Sequence, residues 1–188
     1  HPMVMRKFVQ GVPENVLKRG ERVSLAPFSL MVMHYDLKQP CDYYAGKDVH
    51  GAIMLEFMAD RNMDEMMESF DLLRRGRISP RVLGAGGDES LGDPTRVPAG
   101  AGMMHGITFA PYDLHDGGPA KWDEIREQMG DRSEAHYRKF IRNLTSDNII
   151  ARQVVTPPMP EIGRPAVSRS RAISATMFCA IGLTAGPQ

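Results

Sequence analysis

The sequence is poor in cysteine and tryptophan and has no excess charge of either sign, and each shortage removes a class of protein. Its 188 residues hold two cysteines, Cys41 and Cys179, in unrelated contexts and without Cys-x-x-Cys spacing. A disulfide framework and a zinc knuckle are therefore not expected, and the two read as free thiols of a reducing compartment such as the cytoplasm. Basic and acidic side chains each number 23, so the formal net charge is zero, and no basic footprint points to nucleic acid or an anionic membrane. No stretch sustains the roughly 20 apolar residues of a membrane helix. The opening residues His1-Pro-Met-Val-Met-Arg-Lys7 lack the charged-then-apolar order of a secretion signal. The expectation is a soluble chain. No internal repeat is present, and the length suits one domain on the prior of roughly 100–200 residues each.

Methionine is abundant. Of the 14 methionines, eleven cluster as Met3/Met5, Met31/Met33, Met54/Met58, Met63/Met66/Met67 and Met103/Met104. Thioether side chains fill irregular apolar gaps and adapt to bulky ligands. Each cluster also falls where an element's buried face belongs, so ordinary core and a large apolar ligand are both open readings.

In chain order, Val12 to Gly20 forms one or two helical turns, with Pro13 suited to a first helical position and Gly20 to a cap. Phe28 to Leu37 lacks a helical period and stops at Lys38-Gln-Pro40, which predicts a strand. Ala52 to Ala59 reads as a second strand. Asn62 caps a helix whose Met63, Met66, Met67, Phe70 and Leu73 share one face, with Asp64 and Glu65 early and Arg74-Arg75-Gly76 late. Residues 77–102 read as loop. Their Gly84-x-Gly86-Gly87 run leads into another loop and not a helix, so a dinucleotide-binding turn is not supported. Met103 to Leu114 is extended. After the turn His115-Asp-Gly-Gly-Pro119, a helical pattern runs from Ala120 to Leu144, broken near Gly130 and recapped by Ser133, and Ile149 to Val155 returns as a strand. Strand, crossover helix and return strand make a unit with one apolar side, which needs a partner surface.

Candidate chemistry is sparse. His105, Asp113, His115 and Asp116 are the densest group of possible ligands and would hold a divalent metal if the turn folded them together; otherwise Asp113 and Asp116 are capping residues of a solvated turn. His34 is a lone strand histidine, read as structural. Cys41 lacks an identifiable base, so a nucleophilic role is not supported. Asn143-Leu-Thr145 matches a glycosylation acceptor without a secretory context.

Asp93-Pro94-Thr95-Arg96-Val97-Pro98-x-Gly100 precedes the central strand, and Trp122-Asp123 and Ile149-x-Ala151-Arg152-x-Val154-Val155-Thr156-Pro157 follow it. Over roughly residues 8–157 this order resembles the FAD-dependent oxidoreductases of the phytoene desaturase and amine-oxidase-like type, particularly the phytoene-dehydrogenase-like branch. The resemblance implies the middle and late portion of such an enzyme, a substrate-binding α+β domain over residues 1–158. Its mainly antiparallel sheet would lie over the flavin, with helices packed on one side. It implies a large apolar substrate lined by Met33, Met104, His105, Phe109 and Tyr112. FAD is the cofactor of the full-length family, but no Gly-x-Gly-x-x-Gly unit is present to seat a pyrophosphate here. No cofactor and no autonomous redox turnover are therefore expected of this chain. Residues 159–188 do not resemble the family and are expected to be a divergent tail, helical through Ile173–Leu183 or partly disordered. The face that would meet the FAD domain is expected to be covered by a second copy, giving a homodimer. A non-enzymatic self-associating module and a metal-binding protein are the alternatives.

Overall fold

The computed structural model describes residues 6–24, 26–52, 54–59 and 61–157. Its elements are α1 (Glu14–Glu21), β1 (Phe28–Leu37), β2 (Leu55–Met58), α2 (Met63–Arg74), β3 (Leu83–Asp88), β4 (Gly102–Pro111), α3 (Lys121–Tyr137) and β5 (Ile149–Val155), with single 3-10 turns at Lys47–Val49, Glu89–Leu91 and Pro94–Arg96. The tail at 159–188, with Cys179 and the Ile173–Leu183 segment, lies outside the described residues, as do Met3 and Met5.

The strands form one sheet in the order β2-β3-β4-β1-β5, and every pairing is antiparallel. The class is α+β. β1 and β5 have the bounds their composition predicts, while β2 is shorter than its apolar run. The central unit differs in one respect from a simple strand–helix–strand: β5 pairs with β1 and not with β4, so the helix carries the chain across an intervening strand. A register shift between Asp36 and Leu37 leaves Ile150 unopposed and exposed.

Alternation along β1 and β4 sorts the side chains. Met31, Met33, Tyr35 and Leu37 point to one face with Met104 and Ala110, and α3 covers that face with Trp122, Met129 and Tyr137. Trp122 donates its indole N–H to the Pro111 carbonyl at 3.2 Å, which satisfies the one polar atom of a fully buried side chain. Phe70 of α2 meets the rings of Phe28 and Phe109, which belong to the opposite parity. Thus the long helix takes one face, and α2 meets the other at its Phe28 end.

Three expectations are corrected here. The run Gly84-Ala-Gly-Gly-Asp88 is strand β3, buried along its whole length, rather than loop. Gly84 and Gly86 are required by close approach: a Cβ on Gly86 would lie 2.2 Å from the His105 carbonyl oxygen, and one on Gly84 would lie 3.0 Å from the Tyr137 ring. The long helix is unbroken at Gly130 and ends at Tyr137, with Ser133 buried in its middle and not a cap. Gly130 is there because a Cβ would lie 2.7 Å from Val154 on β5. Finally, the predicted face of α2 holds only in part: Leu73 is buried and Met66 and Phe70 are half-buried as expected, but Met63 and Met67 are exposed and Ser69 is buried in their place.

Tyr137 closes the core. Its ring lies over Gly84 and over Gly106, where a Cβ would be 2.6 Å from Cε2. Its hydroxyl donates to the Ile107 carbonyl at 3.1 Å and stands 3.0 Å from Thr108 Oγ1. Burial pushes this phenol up to about 12, and the Thr108 contact works against that shift. Next to it, His136 Nε2 lies 2.6 Å from the Phe57 carbonyl, and Phe57 packs against both Tyr137 and Phe140. The same helix is clamped to β5 by Arg152, whose guanidinium meets Asp131 at 2.7 Å, Glu134 at 2.9 Å and Glu127 at 3.0 Å. Burial alone would lower the Arg152 pKa, but the three carboxylates more than reverse that and raise it.

Two outcomes follow for stability. Gly106→Ala is expected to lower the unfolding free energy by about 1–3 kcal/mol in a urea titration, because the added methyl overpacks a filled core. Arg152→Met should cost about 2 kcal/mol by the same measurement through lost charge-assisted bonds, and Arg152→Lys should not restore it, since an ammonium lacks the planar fork that reaches three carboxylates.

Candidate functional site

Among the described residues, the face away from α3 is the open one. Its side chains form transverse rows fixed by register. Val155, Val32, Ile107, Ala85 and Glu56 make one row, and Gln153, His34, His105 and Gly87 make the next. Leu30 and Phe109 continue the apolar side, and Asp36, Met103 and Ala151 border the polar side. Most of these side chains are half-buried, and Leu30 is exposed. The result is an apolar band beside a histidine row.

The segment after β3 supplies the charge at that row. Asp88 caps the Glu89–Leu91 turn, accepting from the Ser90 amide and hydroxyl as well as from the Cys41 and Met103 amides. Glu89 is thereby held where its Oε1 lies 2.9 Å from His105 Nδ1. That nitrogen is enclosed and has no hydrogen-bond partner among the described residues. Arg96 pairs with the same Glu89. Arg96 itself comes from the Asp-Pro-Thr-Arg turn. There Asp93 accepts from the Thr95 amide at 3.2 Å and hydroxyl at 2.5 Å, Pro94 takes the first helical position, and these bonds hold the Asp93 carboxyl below its usual range. The motif thus reaches the open face through Arg96, Glu89 and His105. Across the ladder, burial pushes His34 below the ordinary histidine value and His105 adds to the effect, while Glu89 and Asp36 oppose it.

The five residues expected to line a substrate do not share a surface. Met33 and Met104 are fully buried under α3, His105 and Phe109 belong to the open face, and Tyr112 is exposed beyond the end of β4. Even-numbered and odd-numbered positions of β4 project to opposite sides, so Met104 and His105 are separated by the sheet itself. The metal alternative is corrected as well. His105 sits in mid-strand with Glu89, His115 lies in the turn 3.9 Å from Asp116, and no group of three or more His, Cys, Asp or Glu among the described residues is placed to hold an ion. Nor do Asp113 and Asp116 cap the following helix, whose first turn follows Ala120 without a side-chain cap. Cys41 is buried, and burial together with Asp88 raises its thiol far above the nucleophilic range. Asn143 uses both side-chain atoms, accepting from the Asp42 amide and donating to the Pro40 carbonyl.

The FAD pyrophosphate does not fit the residues described. The Gly84–Gly87 run is an interior strand followed by a 3-10 turn, and it presents no helix N-terminus to a phosphate.

Sequence reasoning missed the coupling of His34 to His105 and of both to Glu89. Equal spacing from the strand ends was the only available signal, and it becomes meaningful once the register is known.

Stability should depend on pH through His34 and the similarly depressed His136. Their folded values lie below the ordinary 6.5, so below that value the unfolded chain binds more protons. The urea midpoint is expected to be highest above neutrality, to fall as pH drops through 6.5 and to level off below the folded values. His34→Gln should flatten part of that slope.

No protein-family model matches this chain, and no curated protein matches it in sequence.

Proposed function

We propose that this chain is the substrate-binding α+β domain of an FAD-dependent oxidoreductase resembling the phytoene desaturases, without redox turnover of its own. The observation that supports the reading is the open sheet face. An apolar band of Val155, Val32, Ile107, Leu30 and Phe109 runs beside the His34–His105 row, and the Asp93–Arg96 turn is tied to that row through Glu89. A band of this kind offers burial to a long apolar molecule at about 25 cal/mol per Å², while the polar row offers orientation. The flavin would be supplied from outside the described residues, and the buried free thiol of Cys41 suits a reducing compartment such as the cytoplasm. Among the described residues no helix is long and apolar enough to cross a membrane.

The same face supports a second reading, a self-associating module in which another copy covers the band. One purified sample distinguishes the two. For the oxidoreductase domain, the visible spectrum is expected to show no flavin band, and a long polyene should bind with affinity lost in Val32→Lys. For self-association, polyene binding is absent and light scattering gives a dimer that Val32→Lys dissociates. A flavin band that bleaches on adding substrate would overturn the claim that the chain lacks turnover, and a monomer that binds no polyene would overturn both readings.

A further inference from the structure

A cleft of about 240 Å³ lies at the end of the molecule where the C-terminus of α2, the turn after β4 and the start of α3 meet. Its walls are fixed by a backbone latch. Gly76, at φ 70°, ends α2, its carbonyl accepts from the His115 amide at 2.9 Å, and a Cβ there would lie 2.6 Å from the Asp113 carbonyl oxygen. Only glycine permits both the left-handed conformation and this approach. The floor is Ile78, Leu114 and Ile125. Leu114 belongs to the main core, and the two isoleucines pack against it half-buried, so the cleft opens on the flank of the core itself.

The rim carries Arg77, Lys121, His115 and Asp116. Lys121 pairs with Glu124, and Asp116 is almost fully exposed. Arg77 differs from its neighbours: among the described residues its guanidinium has no carboxylate or carbonyl partner. An unpaired guanidinium above an apolar floor recognises a planar anion joined to an apolar body, because its fork takes both carboxylate oxygens while the body covers the isoleucines. The volume is below the roughly 300–1,000 Å³ of drug-sized sites, which limits the body to a short chain or a single ring.

From this geometry we infer that the cleft is a binding site for small apolar carboxylates, with Arg77 as the carboxylate-binding residue and Ile78, Leu114 and Ile125 as the seat of the apolar part. It is separate from the open sheet face and independent of the oxidoreductase reading. Isocaproate is a suitable probe, with isohexylamine as its cationic counterpart. In heteronuclear NMR titrations of the full chain, isocaproate should give saturable shifts at Gly76, Arg77, Leu114, His115 and Ile125, and isohexylamine should give none. Arg77→Gln should weaken isocaproate at least tenfold and Lys121→Gln by a smaller factor. Both positions lie at the surface, and unchanged circular dichroism would show that the variants fold. Failure of isocaproate to saturate, equal binding of the amine, or undiminished binding to Arg77→Gln would each overturn the proposal.

Discussion

The seating of the Tyr137 ring on a floor of glycine is the constraint on which the other features rest. Gly84 and Gly106 lie on adjacent strands and leave a bare patch at the centre of the sheet. A ring can lie flat on such a patch only if nothing projects from it, and the glycines lose their usual penalty in a strand because the ring covers the backbone they expose. The hydroxyl then meets Ile107 and Thr108 on β4, so the end of α3 is fixed to one strand of the sheet. Gly130 lets the same helix approach β5, and Arg152 gathers the helix carboxylates from the strand side. Steric vacancy and charge thus act together to set the distance between helix and sheet.

Once the helix is placed, the two sheet faces have different roles. The face under α3 is dry core, and its methionines are structural: Met31, Met33 and Met104 are fully buried among aromatic and aliphatic neighbours. The opposite face carries the histidine row and its charged support. Single-residue steps along β4 therefore move from packing to possible chemistry, and a list of candidate residues drawn from both parities necessarily mixes the two.

Much of the architecture was legible in the residues. The β1 and β5 segments show alternating or apolar runs with clear stops, and Asn62 caps α2 as its side chain requires, accepting from the Glu65 amide. Glycine was where local reasoning failed. In β3 and at Gly130 it was read as punctuation, because on its own a glycine signals only backbone freedom. Its use here is to admit Tyr137 or Val154, residues distant in sequence. The α2 face is misread at Met63 and Met67 for a related reason: methionine spacing marks an apolar stripe, but small Ser69, hydrogen-bonded by Ser79, packs beside Leu73 instead.

By itself the sequence determined the strands β1 and β5, the Asn62 cap of α2 and the self-bonded Asp93–Arg96 turn, all of which depend on interactions within a few residues; the expected caps at Gly20 and Ser133 are interior helix positions. Tertiary structure alone decided that β5 pairs with β1, that His34 stands opposite His105, that Glu89 joins them to Arg96, and that Arg77 overlooks an apolar cleft. Apart from Glu89 and Arg96, which lie seven residues apart, these join residues far apart along the chain, and their meeting depends on register and helix approach, which no local pattern of residue types encodes.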